Sequence, residues 1–249
     1  MIDRKTALVI AAGQGIGAAC ARTLAAQGWR VGLMSISDAC ESLARELGGF
    51  ARRGSVTETA DLQGLVDLAL TETGRVDAVV NNTGHSAGSS SVTQASTYDP
   101  GGEHHLLDIT DAEWHQGLDL YLLNVIRMAR IVTPIFQRQG GGALVNISSL
   151  GTVEPRPEYP VSALRLALHG FTKLYTDRHG RDGIRMNNVL PGFVENWPLA
   201  DAVRDATPLG RAVTLREVAE TVAFLLSDGA GAITGQNILV DGGLNRSVR

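Results

Sequence analysis

The sequence predicts a doubly wound α/β fold, a parallel seven-stranded sheet with helices on both faces. Three observations predict it. Short β-branched or apolar runs alternate with segments of helical apolar spacing along the whole chain. A glycine cluster closes the first run and opens the first helix. No Pro- or Ser-rich linker divides the 249 residues, which favours one domain over two.

The elements follow in order. Residues 7–11, 31–35, 76–81, 143–147, 184–190 and 238–240 read as buried strands, with a weaker one near 50–56. Between them, residues 15–27, 39–47, 59–73, 111–138, 160–179 and 215–227 carry apolar residues at helical spacing, as in Leu164, Leu168, Phe171 and Tyr175. Parallel strands joined through helices require right-handed crossovers, and such sheets bind ligands beyond the carboxyl ends of the strands. The residues just after each strand are therefore the ones to read. One stretch, at about 85–107, is polar and rich in Ser and Gly, and it follows a strand end. It reads as a lid or substrate wall, or as an inert insertion.

Composition narrows the classes. Hydrophobic residues make up 44% and charged residues 19%, an ordinary globular balance, and a net charge of -4 leaves no basic footprint for nucleic acid. Cys20 and Cys40 lie in helical segments without metal-ligand spacing, and the adjacent His104 and His105 point apart in most backbones, so no metal is expected. The apolar run near the N-terminus leads straight into the glycine turn, as a first strand does and a signal peptide does not. The expectation is a soluble protein of a reducing cytoplasm, with neither a nucleic-acid nor a membrane partner.

Gly13, Gln14, Gly15, Ile16 and Gly17 form the glycine turn. Glycines let the backbone turn tightly and approach a pyrophosphate, which the helix N-terminus then favours through its amides and dipole. Such a cluster is weak evidence alone. At the first strand–helix junction of an alternating domain it points to nucleotide binding.

The whole series of landmarks resembles the short-chain dehydrogenase/reductase family, with its Rossmann-like sheet. Residues Ile10 to Gly17 resemble the family's Thr-Gly-x-x-x-Gly-Ile-Gly, and Asn81, Asn82, Thr83 and Gly84 its Asn-Asn-Ala-Gly. Asn146 to Ser149 resemble the strand that carries the active-site serine, Pro191 and Gly192 the Pro-Gly after the sixth strand, and Val240 to Gly243 the C-terminal signature. What the resemblance implies is a nicotinamide dinucleotide held by the glycine turn, Ser35, Ser55, Val56, Asn82, Gly84, Arg165, Pro191, Gly192 and Asn196. Asn196 stands in for a family Thr near the carboxamide. The cofactor is NADP or NAD. Ser35 falls where an acid normally holds the ribose hydroxyls, so the absence of a carboxylate leans towards NADP. Asp38 reads as the cap of the next helix.

The departures carry as much information. Ile10 and Ala11 replace the Thr and first Gly of the nucleotide motif. The family's catalytic Tyr, and the Lys one helical turn later, fall on Val161 and Arg165. Valine cannot transfer a proton, and an arginine remains protonated. Ser149 keeps the serine position, and Tyr121 occupies that of a supporting Asn. The proton donor would then be Tyr159, beside Pro160 at the helix entry, or Tyr121, or His85 at a strand end. Each has a plainer alternative: a packing residue, a half-buried tyrosine and a solvated loop histidine.

The resemblance implies an NAD(P)-dependent oxidoreductase acting on a hydroxyl or carbonyl of a small molecule. The alternatives are a non-redox lyase, dehydratase or isomerase on the same fold, or a non-catalytic nucleotide-binding protein. It also implies a homodimer or homotetramer paired through the helices at 111–138 and 160–179.

Overall fold

The computed structural model describes residues 4–83, 106–155 and 159–247. Its strands are β1 (Thr6–Ile10), β2 (Arg30–Ser35), β3 (Phe50–Arg53), β4 (Ala78–Asn81), β5 (Gly142–Ile147), β6 (Ile184–Pro191) and β7 (Asn237–Val240). They form one all-parallel sheet in the order β3-β2-β1-β4-β5-β6-β7. The chain winds outward from β1 through β2 to β3, then crosses to β4 and winds the other way. The switch point lies between β1 and β4, and their carboxyl ends open the crevice there.

The helices are α1 (Gly15–Ala26), α2 (Ala39–Leu47), α3 (Thr59–Thr73), α4 (Asp111–Leu118), α5 (Asn124–Gln139), α6 (Ser162–His179), α7 (Asp201–Ala206) and α8 (Leu215–Leu226). Two apolar layers result. Val9, Leu33 and Val145 pack towards α1, α2 and α8 in one of them. Leu8, Met34 and Leu144 pack towards α3, α5 and α6 in the other. The two-residue alternation along each strand divides the sheet's side chains between the layers.

The segment expected as one helix at 111–138 is interrupted in its hydrogen bonding. Between α4 and α5 the residues Asp119–Leu123 form a π-helical turn, a feature that recurs at functional sites. The strand expected at 50–56 ends at Arg53: the Gly54 amide makes the last ladder bond, to the Ser35 carbonyl at 3.0 Å, and the next amide, of Ser55, turns to the Asp61 carboxylate at 2.9 Å. Asp38 takes the cap position of α2 but its side chain makes no capping bond. Helix α7 was not anticipated, for its six residues include no buried one to announce it.

Four asparagines tie the second half of the sheet together. Asn81 pairs with Asn146, Asn146 with Asn188, and Asn188 with Asn237 in strand register. Their side-chain amides hand hydrogen bonds along the row at 2.9, 2.9 and 2.8 Å, and Thr172 of α6 adds a bond to Asn188 at 3.0 Å. The row begins at the carboxyl ends of β4 and β5, passes the middle of β6 and ends on the first residue of β7.

Candidate active site

The glycine turn is built for close approach. Gly15 has φ +55, and a Cβ there would stand 3.6 Å from the Asn196 side-chain nitrogen. A Cβ on Gly17 would meet the Ala11 carbonyl oxygen at 2.4 Å and Asn82 Nδ2 at 2.9 Å, so α1 can pack against the end of β1 only with glycine there. Gln14 caps α1 in an extended conformation without a side-chain bond. The first-turn amides of α1 thus keep no acceptor within the helix and face the crevice. Asn82 donates to the Ala11 carbonyl at 3.2 Å and braces the turn from β4. These features fit a dinucleotide's pyrophosphate.

Ala11 is the exception in that cradle. It has φ +51, the one non-glycine with positive φ among the described residues. The turn there takes a left-handed conformation that glycine adopts freely, here with a methyl group.

At the end of β2, the buried Ser35 donates to the Ser37 carbonyl at 2.8 Å and stands 3.2 Å from where a Gly13 Cβ would lie. Arg53 is its register partner on β3, so both side chains share a face of the sheet. Arg53 is exposed and makes no ion pair among the described residues, whereas Arg52 lies 3.7 Å from Asp61. The Ser55 amide bonds Asp61 at 2.9 Å and its hydroxyl bonds Thr57 at 2.8 Å, with Val56 packed on the apolar layer. On the far side, Gly192 abuts Asp241, whose Cα would lie 2.9 Å from a glycine Cβ, which leaves no room for a side chain after Pro191.

The centre of the crevice holds the departures. Arg165 is 7% exposed on α6 and donates from Nη1 to the Ile147 carbonyl at 2.7 Å. Its guanidinium carbon lies over the Tyr121 ring, 4.4 Å from the centroid. Val161, one turn earlier, packs with Tyr121 in an apolar cluster that includes Trp114 and Leu164. Tyr121, from the π turn, is 2% exposed, and its hydroxyl makes no well-formed hydrogen bond, its polar neighbour being the Arg165 guanidinium. Burial pushes that phenol above the usual tyrosine range, while the positive charge of Arg165 draws it part of the way back. Asn124, one turn on, donates to Thr83 at the end of β4 at 3.3 Å.

Ser149 follows β5, half-buried, and its hydroxyl accepts the Gly151 amide at 3.2 Å. Tyr159 is half-buried before α6; its carbonyl accepts the Ser162 amide at 2.9 Å, and its hydroxyl bonds no described residue. The structure thus brings Tyr121, Val161 and Arg165 together. His85 and Gly84 lie outside the described residues, as does most of the stretch expected to form a lid.

Two features escaped the sequence reading. Ser162 is buried with an unpartnered hydroxyl, and Ser148 shares a 2.8 Å hydrogen bond with His169 beneath Arg165 on α6. A serine at a helix start reads as a cap, so nothing in the sequence marked Ser162. Among the described residues, no group of acidic, His or Cys side chains is placed to hold a metal ion, and no helix is long and apolar enough to cross a membrane.

A doubly wound parallel sheet with a glycine cradle at its switch point defines a dinucleotide-binding scaffold. The comparisons name the family. The family model described as Enoyl-(Acyl carrier protein) reductase matches residues 10–245. D-threitol dehydrogenase of Mycolicibacterium smegmatis is 32% identical over 97% of this chain and 93% of its own length. The 3-oxoacyl-(acyl-carrier-protein) reductase FabG of Escherichia coli is also 32% identical, over 97% of this chain and 98% of its own. The chain belongs to the short-chain dehydrogenase/reductase family.

Solved structures agree. An actinorhodin polyketide ketoreductase variant crystallised with NADPH superposes with a TM-score of 0.83 at 30% identity, covering 97% of each chain. A structure described as ribose-5-phosphate isomerase from Brucella melitensis gives 0.84 at 28% identity, over 98% of this chain and 93% of that one.

Proposed function

We propose that this chain is a nicotinamide-dinucleotide-dependent oxidoreductase that interconverts a hydroxyl and a carbonyl of a small molecule, with Val161 and Arg165 at the family's Tyr and Lys positions. The observation that carries the reading is the Gly15–Gly17 turn, whose glycines leave space for a close-approaching phosphate at the N-terminus of α1. The kinship with dehydrogenases and with a ketoreductase solved with NADPH supports it.

Bound there, the nicotinamide group would supply or accept the hydride. The chain's own residues do the rest. The amides of α1 hold the pyrophosphate, and Asn82 keeps the turn in shape. Arg165 supplies a fixed positive charge in the crevice, tethered to Ile147. Ser149 orients the substrate oxygen, and Asn196 stands beside the turn for the carboxamide. NADP is favoured over NAD, because Ser35 offers no carboxylate to a 2′-phosphate and Arg53, its register partner, has no counter-ion among the described residues.

The chain would work as one nucleotide-binding domain and as a homo-oligomer. Leu174, 70% exposed, and Leu166 on α6 are apolar side chains that a second copy would cover. Buried free cysteines suit a reducing compartment such as the cytoplasm.

The test is a spectrophotometric screen for oxidation of NADPH and NADH against small ketones and aldehydes, and for the reverse reaction against alcohols. Carbonyl-dependent consumption of reduced cofactor is the expected result. A protein that binds the cofactor but oxidises none of it with any carbonyl would favour the non-catalytic reading, to which the burial of Tyr121 and Arg165 lends its support.

A further inference from the structure

Among the described residues, the two buried side-chain hydroxyls without a well-formed hydrogen bond are those of Tyr121, which has only the stacked Arg165 guanidinium as polar neighbour, and Ser162. Both flank Val161, the position where the family's catalytic tyrosine is missing: Ser162 follows it in the chain, and Tyr121 packs against it from the π turn. A buried hydroxyl with no partner forfeits the hydrogen bonds it made in water. Phenylalanine and alanine would fill the same space without that loss. Two such hydroxyls, one on the residue after Val161 and one on a residue packed against it, call for a polar atom that arrives from outside.

The surroundings identify that atom's place. Ser162 is 4% exposed, and its Oγ would lie 2.5 Å from a Cβ at Gly151, so only glycine leaves the hydroxyl its space. The amide of the same Gly151 holds the Ser149 hydroxyl at 3.2 Å. Ser149 and Ser162 therefore meet across one glycine. Tyr121 lies under the guanidinium of Arg165, which Ile147 holds from the end of β5.

We infer that Tyr121 is the catalytic acid that replaces the absent tyrosine of α6, and that Ser162 joins Ser149 in binding the substrate's carbonyl oxygen. This rests on the oxidoreductase reading and deepens it. In the reductive direction the carbonyl carbon receives the hydride from reduced nicotinamide, and the C=O π bond opens towards oxygen. The Tyr121 O–H bond breaks and an alcohol O–H bond forms. The phenolate left behind lies beside the Arg165 guanidinium until water reprotonates it. Arg165 is thus a positioning residue. The phenol is protonated at neutral pH, as a donor must be, and the Arg165 charge opposes the rise that burial imposes on it.

The experiment compares wild type with Tyr121→Phe, Ser162→Ala and Tyr159→Phe, each loaded with NADPH and offered ethyl acetoacetate, 2,3-butanedione and benzaldehyde. Tyr121→Phe is expected to lower kcat by about 100-fold or more, the usual scale of acid–base catalysis, with the Kd for NADPH unchanged. Its thermal midpoint should hold or rise, because an unsatisfied hydroxyl has gone. Ser162→Ala should raise KM more than it lowers kcat, also without loss of thermal stability. Tyr159→Phe should keep the wild-type rate.

A Tyr121→Phe enzyme of unchanged kcat overturns the acid, and a Ser162→Ala enzyme of unchanged KM overturns the oxygen site. A wild type that binds NADPH yet neither binds nor reduces any of the three carbonyls overturns both. A wild type that binds no NADPH overturns the oxidoreductase reading itself, which separates the two failures.

Discussion

Replacing Ala11 by glycine should stabilise the protein. Ala11 holds φ +51 at the first bend after β1. A left-handed conformation brings an L-residue's Cβ too near the following carbonyl, at about 1–2 kcal/mol. The strain has no outlet: the Ala11 carbonyl is held by Asn82 at 3.2 Å, and the Ala12 amide by the Met34 carbonyl at 2.9 Å. Glycine removes that strain but adds unfolded-state freedom, worth roughly 0.5–1 kcal/mol in the other direction. The balance is a gain of about 0.5–1 kcal/mol. For a chain of this length that is a rise of roughly 1–4 °C in Tm. Calorimetry on Ala11→Gly and wild type reads it directly, with an NADPH titration alongside to show whether the smaller residue also loosens or tightens the turn. A lower Tm would refute the argument, since it would mean that the methyl packs better than the backbone is strained.

Three further substitutions test other parts of the site. Gly17→Ala sets a methyl 2.4 Å from the Ala11 carbonyl, a backbone atom that cannot swing aside, so NADPH binding should be lost, and unchanged binding by fluorescence would place the cofactor elsewhere. Arg53→Ala should weaken NADPH by roughly 10–100-fold, the worth of about 1.5–3 kcal/mol for a charged hydrogen bond, and leave NADH alone. Equal losses for both cofactors would remove Arg53 from the 2′-phosphate site. Asn146→Ala breaks the asparagine row, orphaning the Asn81 amide and costing about 3–5 kcal/mol in urea denaturation; a loss under about 1 kcal/mol would show that the row is incidental.

Much of the fold was legible because strand and glycine signals are local. Runs such as Ala7–Ile10 and Leu144–Ile147 can be buried on both faces only in a parallel sheet covered by helices, and Gly15 to Gly17 mark the one junction where the backbone must pass close. The edges were less so. Val56 is apolar and β-branched, yet β3 stops at Arg53 because the Asp61 carboxylate of α3 captures the Ser55 amide. The π turn at Asp119–Leu123 was invisible, because apolar spacing reports which face is buried and not which carbonyl each amide chooses.

The site divides the same way. The resemblance put Val161 and Arg165 at the family's Tyr and Lys positions, and the sequence offered Tyr159, Tyr121 and His85 as substitutes. It could not choose among them, since the choice depends on contacts between distant segments. The stacking of Arg165 on Tyr121 and the two unpartnered hydroxyls are such contacts, made when α6 settles against the π turn.

The central claim is that the turn at Gly15–Gly17 holds a nicotinamide dinucleotide. Titration of the purified protein with NADPH and NADH, followed by nicotinamide fluorescence, tests it most directly. Saturable binding of NADPH, tighter than that of NADH and lost in Gly17→Ala, is the predicted result. No binding of either cofactor by the wild type would contradict the account.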